Sequence, residues 1–183
     1  MTKLISALSL IFLLTLTGFK YSSQNTEWTI VSSKVTFKIK NAGFTVDGKF
    51  GVVAGKIIFD GDKIDNNSID ANIDSKSINT GNDSRDGHLK KKEYFDVETF
   101  SKINMKATSF SKEKNGTFKG NFKLTLKSKS KDVIIPFSFT ETDSKAVFKG
   151  IFTINRQDYG VGESSMILSD NATISMEINV IKK

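Results

Sequence analysis

The stretch from Thr117 to Lys127, TFKGNFKLTLK, alternates without interruption between apolar or small residues and polar ones. Phe118, Phe122 and Leu124 fall on one phase, and lysine, asparagine and threonine fill the other. Successive side chains of a β-strand point to opposite faces, so the stretch predicts a strand with one apolar and one polar face.

The same alternation predicts about eight strands, mostly antiparallel. They are residues 28–30 and 35–39 as a first hairpin, then 52–59, 68–74, 102–110, 117–127, 131–141, 145–155 and 172–180. The glycine-rich residues 41–51 are interpreted as an irregular or helical crossover. Residues 82–93 predict a short surface helix at one end of the sheet, because Asp83 or Ser84 can cap a helical turn.

A sheet without a helical layer has to cover its own apolar face, by closing into a barrel or stacking as a sandwich. An eight-stranded barrel either fills with side chains or holds one slender ligand. The inward phases include Gly120, Gly150 and Ala107, which would leave room along a channel. Glycine inside a strand equally marks a bend or bulge, so both outcomes stay open.

The chain of 183 residues is expected to form one domain, with 38% apolar residues and 15 Phe as core material. Lys3 and the apolar run from Leu4 to Leu16 are typical of a secretory signal, so we assign 1–23 to a signal peptide and 24–183 to the mature domain. The alternative is an uncleaved membrane anchor. The run is short for a bilayer span, so no stable membrane span is predicted and the protein is expected in the periplasm or secreted.

The absence of cysteine excludes disulfides, thiol catalysis and cysteine-ligated metals. The formal net charge is +7. The lysines recur on the polar phases of predicted strands, which indicates solvated outer faces. Single-stranded nucleic-acid modules place aromatic residues on their basic face, whereas here Phe and Lys occupy opposite phases, so no nucleic-acid partner is predicted.

Candidate chemistry is sparse. The single histidine, His88, follows Ser84 and Asp86, but no nucleophile-elbow glycine pattern surrounds any serine, and a hydrogen-bonding role at the barrel mouth is favoured. Asp60, Asp62 and Asp65 form a turn that lacks the glutamate of a calcium loop. No catalytic residue, metal or cofactor is therefore predicted.

Several strings stand out, in this order along the chain: Trp28–Ile30 with Val35–Phe37, Gly48–Phe50 with Gly55–Ile57 and Phe59–Asp60, Ser77–Thr80, Arg85–Leu89, Glu93–Asp96, Phe100–Ile103 and Asn155–Gly160. Together they resemble the YceI-like family of exported lipid-binding proteins. Where the family usually carries a Gly-Val-Thr-Lys-Pro turn, this chain has Ser128-Lys-Ser-Lys-Asp132, which is expected to alter that hairpin.

The resemblance implies an all-β fold: an extended, eight-stranded, antiparallel, lipocalin-like barrel with short helical segments near one end. It also implies an apolar tunnel that holds a long-chain isoprenoid, such as a polyprenyl or quinone tail, or a related fatty compound. The expected function is non-catalytic binding for transport, storage or sequestration. The alternative is a lipid head-group-modifying enzyme that uses His88 and Asp86. A homodimer is compatible with the sequence.

Inward phase and position select the candidate ligand-binding residues. The lining candidates are Phe37, Ile39, Phe50, Ile57, Met105, Phe118, Phe122, Phe148 and Phe152. Arg85, His88, Arg156 and Asp158 are candidates near the head group. Arg156 and Asp158 stand two apart at a strand end, where an ion pair between them is favoured over contact with a ligand.

Overall fold

The computed structural model describes residues 25–183, so the predicted signal segment 1–23 lies outside the described residues. The strands are β1 (Glu27–Asn41), β2 (Phe44–Phe50), β3 (Val53–Ile58), β4 (Ser68–Asp74), β5 (Lys102–Lys112), β6 (Phe118–Leu126), β7 (Lys129–Thr142), β8 (Lys145–Asn155) and β9 (Leu168–Lys182). Helix α1 (Asp83–Leu89) joins β4 to β5, and two 3₁₀ turns span Ser75–Ser77 and Arg156–Tyr159.

The sheet closes into an antiparallel barrel because β1 pairs with β9, from Trp28 opposite Lys182 to Asn41 opposite Leu168. The other side of β1 pairs with β3 near its start and with β2 near its end. The two pairings have the same register, as if β2 and β3 were one strand: Trp28 lies opposite Ile57, and Val35 lies opposite Phe50. The segments β2 and β3 therefore share one position around the barrel, which has eight strands as predicted.

Two local predictions were wrong. Residues 28–39 form no hairpin: they belong to the continuous strand β1, whose register shifts between Ile30 and Ser32. Residues 41–51 are not a crossover either, because Ala42 and Gly43 adopt positive φ angles of 49° and 83° and turn the chain directly into β2. The glycines of this segment serve a tight turn and close cross-strand packing.

The alternation that predicts β6 is the observed one, because residues 118, 120, 122, 124 and 126 are buried and the residues between them are exposed or half-buried. The hairpin that follows, where the sequence departs from the family pattern, closes over Lys127 and Ser128, with Lys127 at a φ of 52°.

One half of the barrel interior is filled by phenylalanine rings. Phe59 is fully buried, and five other rings have centroids 4.9–5.6 Å from its own. We call the set the aromatic plug; it comprises Phe59, Phe110, Phe118, Phe122, Phe137, Phe139 and Phe148. The glycines expected to leave room lie here, and a β-carbon added at Gly120 would be 2.3 Å from the Phe122 ring. Their space is occupied by neighbouring side chains, not by a channel.

Helix α1 begins one residue earlier than the predicted caps, because the Asn82 side chain accepts a hydrogen bond of 2.9 Å from the Arg85 amide. Its acidic first turn, with Asp83 and Asp86, complements the positive end of the helix dipole. None of the helices within residues 25–183 has the length and apolarity needed to cross a membrane.

Candidate ligand-binding cavity

The half of the barrel away from the aromatic plug is hollow, with a cavity of about 520 Å³. This volume is within the range of pockets that hold small molecules. Its wall is mainly apolar and includes Val35, Phe37, Ile39, Val46, Phe50, Val53, Ala71, Ile73, Ile103, Met105, Leu124, Leu126, Phe152, Ile154, Ala172, Ile174 and Met176. These residues are inward positions of every strand except β7, so the strand alternation itself builds the wall.

The cavity reaches the surface beside α1, because three of its lining residues there, Asn82, Ser84 and His88, are exposed. Thr80 and Arg85 add further polar groups at this end. The arrangement combines an apolar interior with a polar rim, which is the division that an amphiphilic ligand requires.

Arg85 is held at the rim by Thr80. Its Nε donates to Thr80 Oγ1 at 2.8 Å, and one terminal nitrogen donates to the Thr80 carbonyl at 3.0 Å. These bonds use two of the five guanidinium donors. The buried Asp86 supports the same threonine, because its carboxylate accepts a hydrogen bond of 2.9 Å from the Thr80 amide and another from the Thr80 hydroxyl. A chain from Asp86 through Thr80 thus orients Arg85.

His88 is exposed and contacts the ring edge of Tyr94, with the centroids 5.6 Å apart. Asp86 is occupied by Thr80, and in the described part of the chain no hydrogen bond joins His88 to Asp86 or Ser84. The base–orienter contact that a Ser–His–Asp site requires is not formed.

Arg156 forms its ion pair with Asp170, at 3.0 Å, and not with Asp158, which is exposed. Its side chain is buried, and it also donates to the carbonyls of Ser169 and Val161, each at 2.9 Å. The favoured pairing with Asp158 was wrong because the 3₁₀ turn directs that residue outward. The strand register carries the signal that sequence reasoning missed: Asn155 pairs with Asn171, so the next step brings 156 opposite 170.

The structure places eight of the sequence-selected candidates in the cavity wall: Phe37, Ile39, Phe50, Met105, Phe152, Arg85, His88 and Arg156. Phe118, Phe122 and Phe148 lie instead in the aromatic plug, Ile57 is buried in the core near it, and Asp158 lies on the surface. Alternation identifies the inward positions but not where they lie along the barrel axis. That axial position decides whether an inward residue belongs to the cavity wall or to the aromatic plug.

Sequence reasoning also missed wall residues outside the strands. Ile78, Leu89, Tyr94, Phe95 and Val161 come from the connections that cover this end of the barrel. They follow no two-residue period, so the alternation carries no signal for them. Within residues 25–183, no group of three or more His, Cys, Asp or Glu side chains is placed to hold a metal ion.

Tyr159 closes the 3₁₀ turn behind the Arg156 segment and is almost entirely buried. Burial raises the pKa of its hydroxyl to about 12, and the negative charges of Asp158 and Asp132 act in the same direction. The phenol therefore stays protonated at neutral pH.

Comparison with known proteins gives one consistent result. A family model described as the YceI-like domain matches residues 28–180. A UPF0312 protein from Pseudomonas fluorescens is 30% identical over 138 residues, covering 69% of this chain and 70% of its own. Among solved structures, BcnA from Burkholderia cenocepacia superposes with a TM-score of 0.76 at 22% identity, covering 80% of this chain and 95% of that one.

A second solved structure, described as a polyisoprenoid binding domain from Saccharophagus degradans implicated in plant cell wall breakdown, gives a TM-score of 0.68 at 15% identity. The match covers 87% of this chain and 100% of that domain. At these identities the two structures establish a shared barrel fold.

Proposed function

This chain belongs to the YceI-like domain family, and we propose that it binds a long-chain isoprenoid or related amphiphilic lipid in the hollow half of its barrel, without catalysing a reaction. The observation that carries the proposal is the apolar cavity of about 520 Å³ that opens at a polar rim beside α1. The Saccharophagus degradans neighbour is described as polyisoprenoid binding, which makes an isoprenoid tail the first ligand to test.

Burial of the tail supplies the driving force. A tail that loses several hundred square ångströms of apolar surface to the cavity gains on the order of 10 kcal/mol, before the cost of ordering the ligand is subtracted. Within the wall, Phe37, Phe50 and Phe152 offer large apolar surfaces. Binding of this kind needs no charged anchor inside the barrel.

The polar end of the ligand is proposed to lie at the rim, near Arg85 and His88. Arg85 is oriented by Thr80 and keeps guanidinium donors free for an acceptor on the ligand. Arg156 has a different role, because its bonds to Asp170 and Ser169 hold the start of β9, and its bond to Val161 holds the connection that leads to this strand.

We further propose that residues 1–23 direct export and are removed, and that the protein carries, stores or sequesters its lipid in the periplasm or outside the cell. The charged start and apolar run of the N-terminus support this step. Mass measurement of the protein recovered from a cell that exports it tests the cleavage directly.

The test of ligand binding is native mass spectrometry and organic extraction of freshly purified protein, followed by titration with farnesol and palmitic acid. Ala172→Phe fills the cavity, since Ala172 is buried in its wall. Thr173→Phe is the matched control, because the next residue of β9 is exposed. We expect only Ala172→Phe to weaken binding. Repeated recovery of an empty protein that takes up neither compound would contradict the proposal.

A second measurement addresses the rim. Arg85→Ala is expected to weaken binding of an anionic amphiphile about tenfold, because a hydrogen bond to a charged group is lost. An uncharged amphiphile with the same tail should bind as before. Lys91→Ala removes a nearby exposed charge that is not part of the wall and serves as the control. Equal losses for both head groups would place the polar end elsewhere.

A further inference from the structure

We infer that the aromatic plug sets the length of tail that the cavity accepts, with Phe122 as the residue that defines its inner limit. The inference rests on the proposed function and narrows its ligand class to amphiphiles whose tails end at the plug. A longer tail would keep its remaining carbons outside the barrel, in contact with water.

The boundary can be followed along β6. Leu126 and Leu124 line the cavity, whereas the next three inward positions, Phe122, Gly120 and Phe118, do not. Across the sheet, Leu124 pairs with Met105, and Phe122 pairs with Ala107, one inward step deeper. Met105 lines the cavity and Ala107 does not. Two neighbouring strands therefore mark the end of the cavity at the same height.

The strand β8 shows the same boundary on another part of the barrel. Phe152 lines the cavity, and Phe148, two inward positions away, packs in the plug with its ring centroid 5.3 Å from that of Phe59. Between them lies Gly150, where an added β-carbon would be 3.3 Å from the Ile135 side chain. On this strand the lining of the cavity therefore ends between Phe152 and Phe148.

The plug is a packed core and not a loose gate. Phe59 at its centre is fully buried, and the ring of Phe110 lies between it and Phe122, with centroid distances of 5.4 Å and 5.9 Å. A closely packed protein interior resists the insertion of a ligand tail, because added atoms force side chains out of their preferred rotamers. A tail is thus expected to stop at the plug and not to push through it.

A plot of affinity against tail length should therefore show a break, the length beyond which further carbons no longer strengthen binding. Each methylene that enters the cavity should strengthen binding about fourfold, from the transfer of its surface out of water. Each carbon beyond the depth of the cavity should add little to the affinity. The tail length at which the break occurs depends on the plug, whereas binding itself depends on the cavity.

The experiment measures dissociation constants for two series of fixed head group: straight-chain fatty alcohols of increasing length, and geraniol, farnesol and geranylgeraniol. Phe122→Ala deepens the cavity and is expected to move the break to longer tails. Phe118→Ala is the matched control, since both residues lie on β6 with 3% exposure, and it should weaken folding without moving the break. Ala71→Leu, in the inner wall, should move the break to shorter tails.

The outcomes separate this inference from the proposed function. If no tail binds the wild-type protein, the proposed function fails. If tails bind but the break stays in place in both Phe122→Ala and Ala71→Leu, or moves equally in Phe118→Ala, the plug does not set the length. Should Phe122→Ala fail to fold, Ala71→Leu decides alone, because it adds atoms beside an existing cavity.

Discussion

The ring of Phe37 lies directly over Gly48 on the neighbouring strand, so closely that a β-carbon at position 48 would be 2.2 Å from the ring Cζ. The two residues are opposite each other in the β1–β2 pairing, and Phe37 is part of the cavity wall. Glycine at 48 therefore gives the ring a place to lie against the sheet and keeps it out of the lumen.

Gly48→Ala is expected to drive the Phe37 ring toward the lumen and to weaken binding of farnesol or palmitic acid. Adding Phe37→Leu to the same protein should restore part of the affinity, because the smaller side chain no longer meets the new methyl group. Gly87→Ala is the control, since nothing lies within 4 Å of a β-carbon at that position. Unchanged affinity in Gly48→Ala, measured by titration, would contradict this account of the wall.

The central ring of the plug predicts a stability effect. Phe59→Ala removes a fully buried ring that contacts five others, and a loss of about 3–5 kcal/mol in the free energy of unfolding is expected. Phe44→Ala is the comparison, because Phe44 is 77% exposed and its loss should change stability by less than about 0.5 kcal/mol. Urea unfolding measures both. Similar losses in the two variants would mean that the plug is not the stabilising core.

The alternation of residues predicted most strands, because the two-residue period shows which side chains share a face. It left a barrel and a sandwich both open, and the resemblance to the YceI-like family implied the barrel. The prediction for residues 41–51 is wrong, because the glycines there do not interrupt the strands: Gly43 forms the turn into β2, and Gly48 leaves space for the Phe37 ring. The two-residue period also gives no information on where a side chain lies along the barrel axis. Phe122 and Leu124 are equivalent in phase, yet one lies in the plug and the other in the wall.

The candidate site was predictable in part for the same reason. Inward phase led to Phe37, Ile39 and Phe152, whereas Tyr94 and Phe95 reach the cavity from an irregular connection that has no period. Long-range partners are likewise absent from local sequence. Arg156 was paired with its neighbour Asp158 because only short separations were visible, and the partner fourteen residues away emerges from the β8–β9 register.

That ion pair gives the next prediction. Asp170→Asn removes the charged partner of the buried Arg156 and is expected to lower the free energy of unfolding by about 1 kcal/mol; partial exposure of Asp170 keeps the effect small. Asp158→Asn, at an exposed residue two positions from Arg156, should leave stability nearly unchanged. Thermal unfolding at low and high salt compares them. A larger loss in Asp158→Asn would reverse the assignment of the partner.

Tyr159 predicts a specific dependence of stability on alkaline pH. Its pKa is raised from 10.0 to about 12 in the folded protein, chiefly by burial. Below about pH 10 the hydroxyl is protonated in both the folded and unfolded states, so its effect on stability is constant there. Between pH 10 and 12 the unfolded chain releases the proton while the folded protein retains it, and stability falls as the pH rises.

Tyr159→Phe lacks this proton, so the free energy of unfolding of the wild-type protein minus that of the variant should be flat up to about pH 10 and then decline toward pH 12. All other side chains are the same in the two proteins, so the difference isolates the tyrosine. Urea unfolding at intervals from pH 8 to 12 gives the curve. Parallel profiles across that range would mean that the hydroxyl is solvated in the folded state, and that the turn behind Arg156 is more open than its burial indicates.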